Sequence, residues 1–134
     1  MEKILIVYAS TDGQTAKIAS RIADTLRAAG RTVEVSDIHG GAPSLKDASA
    51  ILIGASLRFG KYQKEIEAFA RKNRVAIDQL PNAFFAVSMS AARQAPRSQA
   101  EVVGSIDRFV QLTGWTPRQR VPFGGAAAGP EIGV

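Results

Sequence analysis

The stretch "VYASTDGQTAKIA", residues 7–19, passes from a strand pattern into a helix pattern within a few residues. Residues 4–8 before and within it are continuously apolar, which is typical of a strand buried on both faces of a parallel sheet. Residues 15–29 repeat apolar side chains at helical spacing, and Gly30 then follows as a stop signal. The polar junction between the two elements is the first candidate for function.

The same alternation of strand and helix continues along the chain. Further strand patterns fall at 32–38, 50–55, 83–88 and 120–123, and helix patterns fall at 62–74 and 99–112. Strands that alternate with helices favour right-handed crossovers and a parallel sheet covered on both faces. We therefore predict a single three-layer α/β domain over residues 1–134.

Composition excludes several classes of chemistry. The 134 residues contain no cysteine and one histidine, His39, which rules out disulfides, thiolate metal sites and a cysteine nucleophile. The longest run without a charge, residues 79–92, is shorter than the roughly 20 residues that span a bilayer. The amino terminus lacks a signal-peptide pattern, so we expect a cytoplasmic protein.

The charge balance is basic and uneven. The formal net charge is +5, and residues 68–134 hold eight Lys or Arg against four Asp or Glu. This excess permits attraction to anionic ligands or lipid head groups, but solubility alone explains it equally well. Because the basic residues are scattered rather than clustered, we expect no nucleic-acid partner.

In open α/β sheets, ligands bind at the carboxyl ends of the strands, which selects three loops. The first loop, residues 10–15, offers hydroxyls, a glycine and the amino end of a helix, a combination that suits a phosphate. Equally, Ser10 or Asp12 could simply cap that helix. In the second loop, residues 54–62, Phe59 and Tyr62 are candidates to face a planar ring, although both could instead pack on their neighbours. The third loop, residues 88–97, is polar with small side chains and gives a weaker signal.

Missing motifs narrow the choice of ligand. Neither the dinucleotide pattern G-x-G-x-x-G nor the Walker pattern G-x-x-x-x-G-K-[ST] occurs. A metal-dependent phosphoryl-transfer site would need carboxylates after the first and third strands. Asp12 is the only acid there, so we predict no metal site.

Four segments together carry a family resemblance: "STDGQT" (10–15), "IGASLRFGKY" (53–62), "LPNAFFAVSMSAAR" (80–93) and "GWTP" (114–117). On these the chain resembles the flavodoxin-like family, and within it the menaquinone-dependent protoporphyrinogen IX dehydrogenases. The resemblance implies a five-stranded parallel sheet of order 2-1-3-4-5 that binds FMN. It extends from the first strand to about Phe123.

Residue by residue, the resemblance implies three groups of FMN contacts. The phosphate would be held by Ser10 and Thr15 and by the backbone amides of Thr11, Asp12, Gly13, Gln14 and Thr15. The isoalloxazine ring would be bordered by Ser56, Leu57, Arg58, Phe59, Gly60 and Tyr62. Its other edge would be lined by Ser88, Met89, Ser90, Ala91, Ala92 and Arg93. Asp12 replaces the usual threonine of flavodoxins, and we interpret it as a helix cap.

The implied activity is FMN-dependent oxidation of protoporphyrinogen IX with a quinone (menaquinone or ubiquinone) as acceptor, and the implied location is peripheral, at the inner face of the cell membrane. A flavodoxin-type electron carrier and an inactive fragment remain as alternatives. A pI near 10.0 favours the enzyme, because electron-carrier flavodoxins are usually acidic. Arg58, Lys61 and Arg93 are candidates to pair with the substrate propionates. No general base is evident, since His39 falls in a predicted surface loop.

The tail "FGGAAAGPEIGV", residues 123–134, is too rich in glycine to form a helix. Family members continue there into a closing helix, so we expect that helix to be missing from this domain. A parallel sheet needs both faces covered, and an apolar patch should then be exposed on the side of the first strand. We expect such a chain to fold marginally, bind FMN loosely and show little quinone-linked activity.

Overall fold

The computed structural model describes residues 2–88 and 96–124 and shows a five-stranded parallel sheet of order β2-β1-β3-β4-β5. The elements, in chain order, are β1 (Lys3–Tyr8), α1 (Gln14–Ala28), β2 (Val33–Asp37), a short 3-10 helix (Ile38–Gly40), β3 (Ala48–Ser56), α2 (Lys64–Asp78), β4 (Asn82–Ser88), α3 (Pro96–Thr113) and β5 (Arg120–Gly124). The predicted fold class and strand order are confirmed.

Helices cover the sheet on both faces, as the apolar spacing predicted. On one face, Ile18 and Ile22 of α1 pack with Ile6 and Val33 of the sheet. On the other face, α2 and α3 contribute the second core, which includes Ile66, Phe69, Ile106 and Phe109 around Leu5 and Ile53. The central strands β1, β3 and β4 therefore bury side chains on both sides, which explains why their sequences are apolar without alternation.

A group of aromatic rings joins β4 to α3 and the segment before β5. Phe84 stacks on Phe109 with ring centroids 4.4 Å apart, and Trp115 meets both rings edge-on. The fully buried Trp115 donates its indole N–H to Asn82 Oδ1 at 3.2 Å. The same oxygen accepts the Arg118 backbone N–H at 3.0 Å, so one buried amide anchors the approach to β5.

The predictions about the tail have a mixed outcome. The closing helix concerns residues 125–134, which lie outside the described residues. The expected apolar patch is wrong for the described part of the β1 face, where Ile6, Phe85 and Phe123 are at most 3% exposed. Phe85 and Phe123 meet edge to face at 6.2 Å and bury each other's surface on this side of the sheet.

In the described ranges, no helix is both long enough and apolar enough to cross a lipid bilayer.

Candidate functional site

The first two predicted loops, and Ser88 at the start of the third, lie at the carboxyl ends of three adjacent strands. β3 lies between β1 and β4. Because β2 lies on one side of β1 and β3 lies on the other, the strand order reverses between β1 and β3. Backbone bonds continue past the strands: Ala9 N–H donates to Gly54 C=O at 3.0 Å, and Leu57 N–H donates to Val87 C=O at 2.8 Å. Such a reversal point opens the crevice in which ligands of open α/β sheets bind.

The first loop turns sharply into α1. Gly13 takes a φ of +89°, a conformation that other residues rarely adopt, and its N–H donates to Ser10 Oγ at 2.9 Å. Thr15, in the first turn of α1, is fully buried, and its Oγ1 has no hydrogen-bond partner in the described structure. An unpaired buried hydroxyl costs roughly 1–3 kcal/mol. A ligand oxygen at this helix end would satisfy it, so the first loop fits a phosphate group.

Asp12 is directed towards other groups of the protein. Its Oδ1 accepts the Gln14 N–H at 3.1 Å, and its Oδ2 lies 3.6 Å from Arg58 Nη1. The first contact agrees with the interpretation as a cap, although the cap position itself is Gly13. The second contact places a cation of the second loop beside the only carboxylate of the first loop. This pairing reduces the repulsion that Asp12 would exert on a phosphate.

The second loop presents Phe59 to solvent on a strained turn. Arg58 N–H donates to Lys61 C=O at 2.8 Å and Lys61 N–H returns a bond at 3.0 Å, which closes a two-residue turn. Both central residues have positive φ, +52° for Phe59 and +77° for Gly60. A bulky residue in that conformation is an outlier, and such strain concentrates at functional sites. The Phe59 side chain is 98% exposed, so its ring is available to a planar ligand.

Tyr62 does not occupy the aromatic slot that the sequence predicted. Its side chain is 5% exposed and meets Phe84 and Phe109 edge-on at 5.2 and 5.6 Å. Its hydroxyl lies 2.8 Å from Ser105 Oγ. Burial raises the pKa of the Tyr62 phenol, an effect that the hydrogen bond to Ser105 and the charge of Arg108 only partly oppose. Tyr62 is a core residue that anchors the second loop.

Leu57 and Ser56 also make contacts within the protein. The Leu57 side chain packs against the core shared by α2 and α3, and its backbone remains at the sheet edge. Ser56 ends β3 and is 4% exposed.

Gln63, one residue beyond the second loop, was missed by the sequence analysis. Its Nε2 lies 2.6 Å from Ser56 Oγ and 3.0 Å from Thr11 Oγ1, and its Oε1 accepts the Ser56 N–H at 3.1 Å. One side chain thus joins the first loop to the end of β3. The sequence carries no signal of this role, because Gln63 falls inside the helix predicted over 62–74 and becomes its cap only in the structure.

Arg108 of α3 was also missed. Its Nη2 donates to Gly60 C=O at 3.2 Å and so supports the turn that carries Phe59. Together with Arg58 and Lys61 it adds positive charge beside the exposed ring. His39 lies elsewhere, in the 3-10 helix after β2, with Nδ1 3.3 Å from Asp37 and Nε2 3.8 Å from Glu65.

The third loop is described only at its start. Ser88 ends β4 and is 6% exposed. The remaining predicted contacts of this loop lie outside the described residues: Met89, Ser90, Ala91, Ala92 and Arg93.

Comparison with known proteins agrees with this geometry. A family model described as a flavodoxin domain matches residues 5–134. The chain belongs to the flavodoxin domain family. Flavodoxin domains bind FMN, so the predicted family and cofactor both agree with this match.

Among curated proteins, the chain is 29% identical over 129 residues to protoporphyrinogen IX dehydrogenase [quinone] of Escherichia coli K12, covering 96% of this chain and 71% of that protein. It is 28% identical over 128 residues to the protein of the same name from Leishmania major, covering 92% and 54%.

Among solved structures, oxidised flavodoxin 2 from Bacillus cereus superposes with a TM-score of 0.69 at 23% identity, covering 96% of this chain and 88% of that one. A Fusobacterium nucleatum flavodoxin mutant bound to flavin mononucleotide gives a TM-score of 0.53 at 15% identity, covering 92% and 69%. These two likenesses support the fold.

Proposed function

We propose that this chain binds FMN at the three loops and uses it to oxidise protoporphyrinogen IX, with a quinone as the electron acceptor. The cofactor proposal rests on two features of neighbouring loops. The Thr15 hydroxyl is buried without a hydrogen-bond partner, and Phe59 is exposed on a strained turn. The first suits a phosphate and the second suits a flat ring. A flavin mononucleotide contains both groups.

The phosphate would be held by the first loop. Ser10, Thr11 and Thr15 supply hydroxyls, and the amino end of α1 supplies unpaired N–H groups and the positive end of the helix dipole. A phosphate bound in this way needs no basic side chain. The loop offers a single helix end, which favours a terminal phosphate over the pyrophosphate of FAD.

The ring would lie beside the second loop. Phe59 would cover part of it, and the turn held by Arg58 and Lys61 would fix the position of that side chain. Tyr62 would act from the core, by holding the carboxyl end of the same loop. We propose that Ser88 to Arg93 border the opposite edge of the ring.

Bound FMN supplies the redox chemistry, since it accepts reducing equivalents and passes them on to a second substrate. The porphyrinogen would be oxidised to the porphyrin in successive two-electron steps, and the two electrons and two protons lost in each step would reduce one quinone molecule to a quinol. The chain would bind and orient the reactants. Arg58 and Lys61, both exposed beside Phe59, are the proposed partners of the substrate propionates, together with Arg93.

The choice of porphyrinogen and quinone as substrates rests on the curated relatives, which are under 30% identical to the chain. An anaerobic assay with protoporphyrinogen IX and a menaquinone analogue tests it, with porphyrin fluorescence as the readout. We expect FMN-dependent porphyrin formation that requires the quinone. A chain that holds FMN but forms no porphyrin under these conditions would instead act as a flavodoxin-type electron carrier, and a chain that binds no flavin would have neither activity.

A location at the inner face of a membrane is part of the same proposal. The net charge of +5 supports it, and so does the proposed use of a lipid-soluble quinone. Sedimentation with anionic vesicles at low and high salt would test it.

A further inference from the structure

The side chain of Gln63 uses all of its polar hydrogens and its oxygen between two loops. Its Nε2 meets the hydroxyls of Ser56 at 2.6 Å and Thr11 at 3.0 Å. Its Oε1 lies 3.1 Å from the Ser56 backbone nitrogen. Gln63 is half-buried at the cap position of α2, with extended backbone, so the amide is directed back across the sheet edge.

The Ser56 backbone determines which way this amide faces. A backbone N–H can only donate, so the atom of Gln63 that meets it must be the oxygen. The two hydrogens of Nε2 are then left for the two hydroxyls. The orientation of the amide therefore follows from the bonding pattern and not from the similar shapes of its oxygen and nitrogen.

The orientation of the amide decides what the two hydroxyls can do for a ligand. Each hydroxyl has one hydrogen and accepts a bond from Nε2, so its own hydrogen remains for another acceptor. Ser10 follows the same rule, because its Oγ accepts the Gly13 N–H. Three hydroxyls at the sheet edge are thus prepared to donate, which suits a ligand rich in oxygen acceptors.

We propose that Gln63 is a positioning residue that turns the hydroxyls of Thr11 and Ser56 into hydrogen-bond donors for the ligand. The inference rests on the proposed binding of FMN, and Gln63 itself would touch no part of the flavin. A carboxylate in its place would accept from both hydroxyls and direct their hydrogens away from the ligand.

The test compares Gln63→Glu with Gln63→Ala by FMN titration and fluorescence quenching. Glu has the same shape as Gln and can still accept the Ser56 N–H, so a purely structural role predicts that Gln63→Glu stays nearer to wild type. Hydroxyl orientation predicts the reverse order, with the Kd of Gln63→Glu at least about tenfold above that of Gln63→Ala. The matched control is Gln79→Glu, the same change at the exposed carboxyl end of α2, which should leave the Kd unchanged.

Salt separates hydroxyl orientation from simple charge repulsion of the phosphate. Repulsion through solvent is screened at about 1 M salt, where the Debye length is about 3 Å. The proposal is supported if the difference in Kd between the two variants persists at this salt concentration. It is overturned if that difference disappears, or if Gln63→Glu binds FMN more tightly than Gln63→Ala.

Amide hydrogen exchange of Ser56 in the flavin-free chain gives a second readout. Its exchange should accelerate in Gln63→Ala and stay slow in Gln63→Glu, because only Glu keeps the acceptor. Unchanged exchange in Gln63→Ala would overturn the assigned contact. If wild type binds no FMN, the proposed function fails, while the exchange result still decides whether Gln63 holds this loop.

Discussion

The ring of Phe85 on β4 occupies the space above Gly54 on β3. A Cβ placed on Gly54 would lie 2.0 Å from Phe85 Cζ and 2.1 Å from Cε2. The two residues are register partners in the sheet. Gly54 belongs to the segment "IGASLRFGKY" that carries the family resemblance, and its lack of a side chain serves the packing of the α1 face.

The first prediction follows from that overlap. Gly54→Ala should lower the free energy of unfolding by about 1–3 kcal/mol, because the Phe85 ring must shift within a packed core. Urea unfolding followed by circular dichroism measures this. Gly40→Ala is the control, since a Cβ there meets no atom within 4 Å. Equal stabilities of the two variants would contradict the packing described above.

The second prediction concerns the strain at Phe59. Phe59→Asn should keep or raise the unfolding free energy, by up to about 1 kcal/mol, because Asn tolerates positive φ and the exposed ring contributes little packing. The same change should weaken FMN binding through loss of the stacked ring, by roughly 1 kcal/mol. Thermal melting and FMN titration measure the two effects. Val75→Ala, another exposed apolar side chain, should leave FMN binding unchanged. A fall in stability without loss of FMN affinity would contradict the proposed role of Phe59.

The third prediction concerns pH. Burial raises the pKa of Tyr62 above that of an unfolded tyrosine, so the folded state holds the phenol proton more tightly. The corresponding stability is fully present below the unfolded pKa, near 10, and is lost as the pH rises from there through the folded pKa. Tyr62→Phe should therefore lose less stability than wild type between about pH 8 and pH 11. Urea unfolding at the two pH values measures the slopes.

Some alkaline loss should remain in Tyr62→Phe, because burial and the charge of Asp37 also raise the pKa of Tyr8. If the unfolding free energy falls equally with pH in wild type and in Tyr62→Phe, the Tyr62 phenol does not titrate in this way.

The fourth prediction tests the pairing of Asp12 with Arg58. Arg58→Ala leaves the Asp12 carboxylate unpaired in the first loop, so FMN should bind severalfold more weakly. Adding Asp12→Asn to that variant should restore most of the affinity. The melting temperature should change little throughout, because exposed ion pairs contribute about 0–1 kcal/mol. Isothermal titration calorimetry measures the affinities.

Arg120→Ala is the matched control for this cycle. It breaks the exposed pair of Arg120 with Asp107, at 3.1 Å, and neither residue belongs to the three loops. If the effects of Arg58→Ala and Asp12→Asn are simply additive, the two side chains do not act on the phosphate as a pair.

The architecture could be predicted from the sequence because its signals are local and repeated. Apolar runs predict β1, β3 and β4, shorter apolar patterns predict the edge strands β2 and β5, and helical spacing predicts α1, α2 and α3. The predicted helix boundaries differ from the structure where a side chain makes a long-range contact. The predicted second helix began at Tyr62, but Tyr62 is held in the core and Gln63 is held extended, so α2 begins at Lys64.

The candidate site is harder to predict than the fold, because it also depends on long-range side-chain contacts. The sequence pointed to an aromatic slot at Phe59 and Tyr62, and only contacts with Phe84 and Phe109 show that Tyr62 belongs to the core. The link from Gln63 to Thr11 joins residues 52 positions apart. No periodic pattern signals such a contact, because it depends on how β1 and β3 align.

A titration of the purified chain with FMN, riboflavin and FAD, followed by flavin fluorescence quenching, tests the central claim most directly. A phosphate held by the first loop and a ring beside the second predict that FMN binds most tightly. Riboflavin should bind at least about tenfold more weakly, because it lacks the charge-assisted contacts at the end of α1. FAD should bind more weakly than FMN, because the loop accommodates a terminal phosphate. Equal affinities for FMN and riboflavin, or no quenching by FMN, would contradict the site proposed for this domain.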